Sequence, residues 1–301
     1  MSAPQPGILL DPSGAPNFLV LRVLSDESGV AAEVARLPGL AESLSSEEGS
    51  VTCTVAFGPD FWRRVHGEAP AELTPFPGFF GSGGQAVDTG GDLLLHVATE
   101  HRELAFDLVS TAMNALGGRV EVLDDVQGFR YWDSRDLTGF IDGTENPAAD
   151  ERAEVALIQD EDPTFAGGSY VLAQRYVHDL AKWSTIPDDE QEKIIGRSKP
   201  DSVELDDDVR PETSHISRVV IEEDGEELEI VRHSSPYGDA REAGLFFIAY
   251  NRTRSTFDKM LANMYGSSDD GRSDALMGYS DAVTSAYFFA PSAELLSSLA
   301  K

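Results

Sequence analysis

Two segments of this chain carry the one-sided apolar stripe of a helix, and predicted strands lie on both sides of each. Residues that recur at i, i+3, i+4 and i+7 fall on one helical face, which must pack against a sheet or another helix. The members are Ala105, Leu108, Val109, Ala112, Met113 and Leu116 in the first stripe, and Phe257, Met260, Leu261 and Met264 in the second. The chain therefore repeats one arrangement of helices and strands in its two halves.

The first half has the order β-α-β-β-α-β. Apolar and β-branched runs predict strands over 18–24, 51–57, 93–97 and 120–126. A helical stretch that ends near Leu44 follows the first strand, and the first striped helix follows the third. This order is that of a ferredoxin-like unit.

The second half repeats the order with weaker signals. Strands are predicted over 170–176, 216–221, 228–232, 245–250 and 286–289, with a helical region that ends at Ile195. This is one strand more than the unit needs. We predict an α+β fold of two tandem ferredoxin-like units with antiparallel sheets, over residues 1–135 and 136–301. They form one compact pair, with an acidic connection near 200–208 inside the second unit.

Charge and composition exclude several classes of protein. The formal net charge of −30 repels phosphate backbones, so no nucleic-acid partner is expected. No apolar run approaches the roughly 18 to 20 residues of a membrane span, and the N-terminus lacks the pattern of a signal peptide, so a cytoplasmic location without membrane contact is expected. Cys53 is the only cysteine, which excludes an internal disulfide and a C-x-x-C-H haem attachment. We expect Cys53 to be buried in a strand.

The segment 136–147, Asp-Leu-Thr-Gly-Phe-Ile-Asp-Gly-Thr-Glu-Asn-Pro, is the most unusual in the chain. Gly139 and Gly143 allow a sharp turn and a close approach of the backbone to a ligand, with Asp142 between them. An Asp-Gly pair is also a common plain turn. Both interpretations stay open on these residues alone.

His215 is the candidate metal ligand among the six histidines. It stands at the start of the predicted strand 216–221, where one imidazole nitrogen could bind a metal while an acceptor holds the other. A purely structural histidine is the alternative. We expect His178 at the surface and His233 at the end of a strand.

Arg232 leaves an apolar strand just before the turn formed by Pro236, Tyr237 and Gly238. A guanidinium there is a permanently charged donor that could act on a substrate or pair with a structural carboxylate. Sequence separation does not show whether Arg232, His215 and Asp142 meet. Reasoning from the residues therefore ends at a possible His-Asp-Arg site.

The chain resembles the B-type dye-decolourising peroxidases almost from end to end. Four motifs in order carry the resemblance: Gly-Phe-Ile-Asp-Gly-Thr-Glu-Asn-Pro at 139–147, Ile-Gly-Arg-Ser-Lys at 195–199, Arg-Pro-Glu-Thr-Ser-His at 210–215, and Ile-Val-Arg at 230–232 with Pro-Tyr-Gly at 236–238. The family has two ferredoxin-like units with haem held in the second. The resemblance therefore implies the fold that the periodicity predicts.

The resemblance also implies the site and its chemistry. His215 is expected to ligate the iron of a non-covalent haem b, with Asp142, Arg232 and Ser234 as the catalytic residues. Asp274, Asp281 and Glu212 are the candidate acceptors for the other nitrogen of His215. Reduction of hydrogen peroxide to water through a ferryl intermediate is expected, with oxidation of dyes, phenols or similar one-electron donors. The residues expected to contact the haem, besides His215 and Arg232, are Gly143, Thr144, Glu145, Asn146 and Arg197.

Other functions and partners are weighed beside this one. A haem- or porphyrinogen-handling oxidase of the deferrochelatase kind would use the same pocket, and a haem carrier without enzymatic activity would not need Asp142 and Arg232. A Ser-His-Asp hydrolase is remote because no G-x-S-x-G elbow occurs. A homo-oligomer is expected. Docking in a protein nanocompartment is not expected, since the chain ends soon after its last predicted strand.

Overall fold

The computed structural model describes residues 2–301. The first half contains six strands and four helices. The strands are β1 (Asn17–Val23), β2 (Val51–Phe57), β3 (Phe79–Gly81), β4 (Gly84–Ala86), β5 (Leu93–Thr99) and β6 (Val120–Gln127). The helices are α1 (Glu27–Val34), α2 (Leu37–Leu44), α3 (Pro59–His66) and α4 (Arg102–Leu116). The four predicted strands and the striped helix α4 are confirmed, with ends within two residues of the prediction.

The second half contains seven strands and six helices among the residues described. The strands are β7 (Ser169–His178), β8 (Glu222–Glu223), β9 (Glu226–Glu227), β10 (Val231–Arg232), β11 (Ser235–Gly238), β12 (Ala243–Asn251) and β13 (Ser280–Ala290). The helices are α5 (Arg152–Ala156), α6 (Leu180–Trp183), α7 (Asp188–Ile195), α8 (His215–Val219), α9 (Arg254–Tyr265) and α10 (Ala293–Ser298).

A mixed helix and antiparallel-sheet fold results, as predicted. The main sheet has the order β10-β12-β7-β13-β2-β5-β1-β6, with β11 paired to β12 beside β10. Each half places its strands in the same order, second, third, first and fourth along the chain, which is the ferredoxin-like order. A single residue pair, Phe289 with Phe57, joins the halves. The unit boundary at residue 135 stays a prediction.

One predicted strand is wrong, and another is shorter than predicted. The segment 216–221 lies mostly in helix α8, because the Ser214 side chain caps the helix by accepting a hydrogen bond from the Ser217 amide. The segment 228–232 is a strand only over β10. Between these elements, β8 and β9 form a small hairpin, whose turn uses positive φ values at Asp224 and Gly225.

The main sheet curls so that its two halves face each other. Phe18 on β1 stacks on Phe246 on β12 with ring centroids 4.3 Å apart, although four strands lie between β1 and β12 in the sheet. We call the buried space between the two half-sheets the inter-sheet layer; it contains Phe18, His96, His233, Phe246 and Tyr250. The opposite sheet face packs against the helices and, in the second half, borders a large cavity.

Candidate active site

A cavity lies between the sheet and helices α8 and α9; together with its solvent-filled opening it encloses about 1430 Å³. Most of its wall is apolar, and all four members of the second predicted stripe line it. The apolar wall residues include Leu172, Leu245 and Phe247 from the sheet, and Ile216, Val219, Phe257, Met260, Leu261, Met264 and Met277 from the helical side. Such a cavity can hold a large, mostly apolar ligand.

His215 borders this cavity as the first residue of α8. Its Nδ1 lies 2.6 Å from Oδ2 of Asp274, whose side chain is fully buried. The other oxygen of Asp274 accepts a hydrogen bond of 2.8 Å from the Leu276 amide, which fixes the carboxylate. Nε2 of His215 is therefore the nitrogen left for a ligand, and its carboxylate partner holds the ring in one orientation.

The structure decides among the three candidate acceptors for His215. Asp274 is in contact, whereas Glu212 is exposed and pairs with Arg272. Asp281 is exposed on β13. Only Asp274 combines contact with burial, so it orients the imidazole.

We expect Asp274→Asn to weaken cofactor binding or peroxidase activity by about 10- to 100-fold, the usual cost of losing the carboxylate behind a ligand histidine. The ring of His215 would lose its charged partner and part of its basicity. Titration of the apoprotein with haem, followed by its absorption, measures the change. Asp281→Asn is the matched control, and equal affinities for the two variants would contradict the assignment.

The glycine-flanked loop brings Asp142 to the cavity. Gly139 and Gly143 have φ values of +92° and +80°, the left-handed region that favours glycine. The amide of Asp142 donates a hydrogen bond of 2.9 Å to the Ser134 carbonyl, which closes the loop into a tight turn. The turn places Asp142, Gly143, Thr144 and Glu145 on the cavity wall.

Arg232 lies close to Asp142 where this first cavity adjoins a second cavity. Nη1 of Arg232 lies 3.7 Å from Oδ1 of Asp142, and the two side chains are 19% and 25% exposed. The Asn146 side chain binds both backbone groups of Arg232, donating to its carbonyl at 2.8 Å and accepting from its amide at 2.9 Å. Asn146 therefore holds the strand that carries Arg232, and Asp142 and Arg232 line both cavities.

Ser234 lines the second cavity and not the first. In a strand, residues i and i+2 point to the same face and lie about 6.6 Å apart. Ser234 therefore points to the same side as Arg232 but lies farther from the apolar cavity. Its hydroxyl oxygen is buried with no hydrogen-bond partner among residues 2–301. A water molecule or substrate in the second cavity can supply that partner.

Arg197 stands at the mouth of the first cavity among acidic side chains. Its guanidinium contacts the carboxylates of Glu145 and Glu204, and it donates a hydrogen bond of 2.8 Å to the Ser202 carbonyl. Burial and the nearby carboxylates, Glu145 among them, raise the pKa of Glu227. The mouth therefore carries negative charge around one buried cation.

Sequence reasoning missed a buried hydrogen-bonded pair in the same wall. His178, expected at the surface, is buried; its Nε2 lies 3.1 Å from Oδ1 of Asp136 and its Nδ1 lies 2.8 Å from Oγ of Ser280. Burial raises the pKa of Asp136, but His178 and Thr138 outweigh it and lower that pKa to about 2. The alternation of side chains along a strand could have placed His178 here, because every second residue of β7 (172, 174, 176 and 178) lines the cavity.

The donor groups of the cavity fit haem better than a bare metal ion. Residues 2–301 hold no group of three histidine, cysteine or acidic side chains placed to bind a metal. A porphyrin supplies four ligands of its own and needs one axial nitrogen with apolar walls, and His215 with its surroundings offers these.

Comparison with known proteins adds evidence that is independent of this geometry. The models described as Dyp-type peroxidase, N-terminal and Dyp-type peroxidase, C-terminal match residues 5–130 and 133–295. The chain is 40% identical, over 97% of its length, to a dye-decolorizing peroxidase of Rhodococcus erythropolis, of which the match covers 88%.

Two solved structures show the same fold over nearly the whole chain. A Rhodococcus jostii DypB variant in complex with heme has a TM-score of 0.94 and 40% sequence identity, and the match covers 98% of both chains. The encapsulated DyP-type peroxidase of Mycobacterium smegmatis also has a TM-score of 0.94, with 38% identity, 99% of this chain covered and 98% of that one.

Proposed function

Because this chain belongs to the Dyp-type peroxidase family, it is a haem peroxidase, and we propose that His215 ligates the iron while Arg232 and Asp142 act on peroxide. It reduces hydrogen peroxide and oxidises dyes as electron donors. The observation that carries the proposed site is the hydrogen bond between His215 and the buried Asp274, which leaves Nε2 free in an apolar cavity that Arg232 and Asp142 also line.

The residues of the cavity account for how haem is held. His215 would provide a nitrogen ligand to the iron, and the apolar walls would exclude water. Residues Gly143 to Asn146 and Arg197 are proposed to contact the edge of the porphyrin and its carboxylates. The haem is proposed to be non-covalent haem b, because Cys53, the only cysteine, is buried in β2 as expected. When bound, haem supplies the iron that reacts with peroxide and the redox capacity to take electrons from donors one at a time.

Arg232 and Asp142 have different proposed roles in the reaction with peroxide. The guanidinium of Arg232 is a permanent cation that stabilises negative charge as the oxygen–oxygen bond breaks. A carboxylate oxygen of Asp142 takes a proton from one peroxide oxygen and returns it to the other, directly or through a water molecule held by Ser234. The second cavity gives water a route to both side chains.

One absorption experiment tests the proposed function. Protein purified with haem supplied is mixed with one equivalent of hydrogen peroxide and then with two equivalents of a one-electron donor dye. We expect the ferric spectrum to change with peroxide and to return as the dye loses its colour. A spectrum that peroxide leaves unchanged, with no dye oxidised, would overturn the proposal.

We expect Asp142→Asn to slow the reaction with peroxide by no more than about 100-fold, the lower end of the range for a general base. The amide cannot accept the proton, but water beside Ser234 offers another path. Stopped-flow mixing with peroxide at several pH values measures the rate. A loss larger than that of Arg232→Leu would show that proton transfer, and not charge stabilisation, dominates.

The alternatives weighed from the sequence are not favoured. The curated relatives that match over most of the chain are dye-decolorizing peroxidases, which speaks against a haem-handling oxidase or a haem carrier without enzymatic activity.

The oligomeric state, the cellular location and the docking partners of the enzyme are not shown by its family. The homo-oligomer and the cytoplasmic location stay predictions. In residues 2–301 no helix is long and apolar enough to cross a membrane. The expectation that the chain does not dock in a nanocompartment is open, because the Mycobacterium smegmatis relative is an encapsulated peroxidase.

A further inference from the structure

His233 lies between Arg232 and Ser234 in an unbroken extended segment. Val231 pairs with Tyr250, and Ser235 pairs with Phe246, so the register along β12 is the same on both sides of His233. The amide of His233 donates a hydrogen bond of 3.0 Å to the Ile248 carbonyl, as this register requires. No bulge interrupts the segment, and its side chains therefore alternate between the two faces of the sheet.

The alternation gives His233 and its two neighbours opposite surroundings. Val231, His233 and Ser235 point into the inter-sheet layer, where each is at most 3% exposed. Arg232 and Ser234 point the other way, to the cavities. A contact that fixes His233 on the buried face therefore also fixes the direction of the Arg232 and Ser234 side chains on the opposite face.

The buried face holds His233 by one directed bond and two ring contacts. Its Nε2 lies 2.9 Å from the Ile8 carbonyl, so Nε2 carries the proton and donates it. The ring packs edge-on against His96 and Tyr250, with centroids 5.3 Å and 5.5 Å away. Burial lowers the pKa of His233 to about 4, so the ring is neutral at neutral pH, and its Nδ1 has no hydrogen-bond partner among residues 2–301.

The acceptor of this bond is itself anchored. Near Ile8, the Gln5 side chain donates to the Val55 carbonyl at 2.8 Å and accepts from the Val55 amide at 2.8 Å. On the other side, Arg152 donates a hydrogen bond of 3.2 Å to the Leu9 carbonyl. The segment 5–9 is thus tied to β2 and α5. It offers His233 a fixed point outside the edge strand that carries Arg232.

We propose that His233 is a positioning residue for peroxide reduction: its hydrogen bond to the Ile8 carbonyl holds the strand so that Arg232 and Ser234 face the reacting peroxide. The inference rests on the proposed function of Arg232. The strand needs such a support because β10 lies at the edge of the sheet and pairs on one side only. Asn146 holds the backbone of Arg232, and His233 holds the next residue from the buried face. A displacement of about 1 Å at a reacting group can cost about 100-fold in rate.

The main test compares His233→Met with the unchanged holoenzyme. Methionine fills a similar volume but cannot donate to Ile8. We expect the rate constant for the reaction with hydrogen peroxide to fall by about 10- to 100-fold. We also expect weaker binding of cyanide to the ferric protein, since an anion beside the iron would lose the aligned guanidinium. We expect kcat/KM for a donor dye to stay within twofold of wild type, because the proposed role of Arg232 is confined to the reaction with peroxide.

A matched variant separates positioning from stability. Thr99→Val removes another buried hydrogen-bonding side chain, whose hydroxyl donates to the Ser50 carbonyl at 2.7 Å. Thr99 lies three residues after His96 on β5, so its side chain points to the sheet face opposite the inter-sheet layer. We expect it to lower the melting temperature by a similar amount while leaving the peroxide rate within twofold. Equal loss of rate in both variants would reduce His233 to a packing residue and overturn the proposal.

Two polar variants keep the test decisive if His233→Met does not fold. The amide nitrogen of glutamine reaches about as far as Nε2 of histidine, whereas that of asparagine falls short. We expect His233→Gln to recover most of the peroxide rate and His233→Asn to recover little. Equal rates in these two variants would contradict the role of the Ile8 bond.

The same rates distinguish this inference from the proposed function. If Arg232→Leu slows peroxide reduction while His233→Met does not, only the positioning role fails. If Arg232→Leu has no effect either, the proposed function of the arginine itself fails.

Discussion

Replacing His215 with alanine is expected to remove the ferric haem spectrum of the wild-type protein and to lower peroxidase activity by at least about 1000-fold, of the order of losing a group essential for catalysis. No other histidine borders the cavity except His178, whose two ring nitrogens are engaged by Asp136 and Ser280. Added imidazole is expected to restore part of the spectrum by occupying the vacated space. Titration of apoprotein with haem and a dye assay measure the two effects.

The loss of His215 also leaves the buried carboxylate of Asp274 without its partner, which is destabilising in itself. The double variant His215→Ala with Asp274→Asn removes that charge and separates ligation from folding. His101→Ala, a change at a partly exposed histidine away from the cavity, is the control. A His215→Ala protein that kept the wild-type haem spectrum would contradict the assignment of the ligand.

Replacing Arg232 with leucine is expected to lower the rate of the reaction with peroxide by about 100- to 1000-fold, the usual cost of removing one donor that stabilises developing charge. Leucine keeps much of the apolar stem but removes the cation that lies 3.7 Å from Asp142. Haem binding should change little, because His215, the proposed iron ligand, is untouched. Stopped-flow mixing with peroxide gives the rate, and a haem titration gives the affinity.

Arg130→Leu is the matched control for that experiment. Arg130 lines the second cavity but pairs with Glu100, away from the first. We expect its peroxide rate to stay within twofold of wild type. Arg232→Lys should recover only part of the rate, since a point charge does not reproduce the planar donor. Equal rates for Arg232→Leu and Arg130→Leu would remove Arg232 from the mechanism.

Local patterns were a good guide to the strand β2 and the helix α9. The strand predicted over 51–57 has those bounds in the structure, and every member of the stripe on α9 lines the cavity. The stripe reports which face of α9 is apolar, and the run of apolar and β-branched residues at 51–57 marks a strand that is buried on both faces; both signals are local properties of the chain. The fold was therefore accessible before any contact was known.

Periodicity failed where the chain is short and β-branched. Ile216, Val219, Val220 and Ile221 have the composition of a strand, yet four of the six residues 216–221 continue the helix that begins at His215. The cap from Ser214 and packing on α9 outweigh the local preference, because a five-residue element depends more on its neighbours than on its own sequence. The presence of a helix instead of a strand matters, because it places His215 on the helical side of the cavity.

The main strands of the first half, the two striped helices and the motifs of the peroxidase family were readable along the chain, because each depends on residues close together in sequence. The tertiary structure alone decided that Asp274, 59 residues from His215, orients the imidazole, that His178 is buried against Asp136, and that Ser234 borders a second cavity. Such contacts join distant segments. They arise only when the sheet and the helices pack, so neither spacing nor composition encodes them.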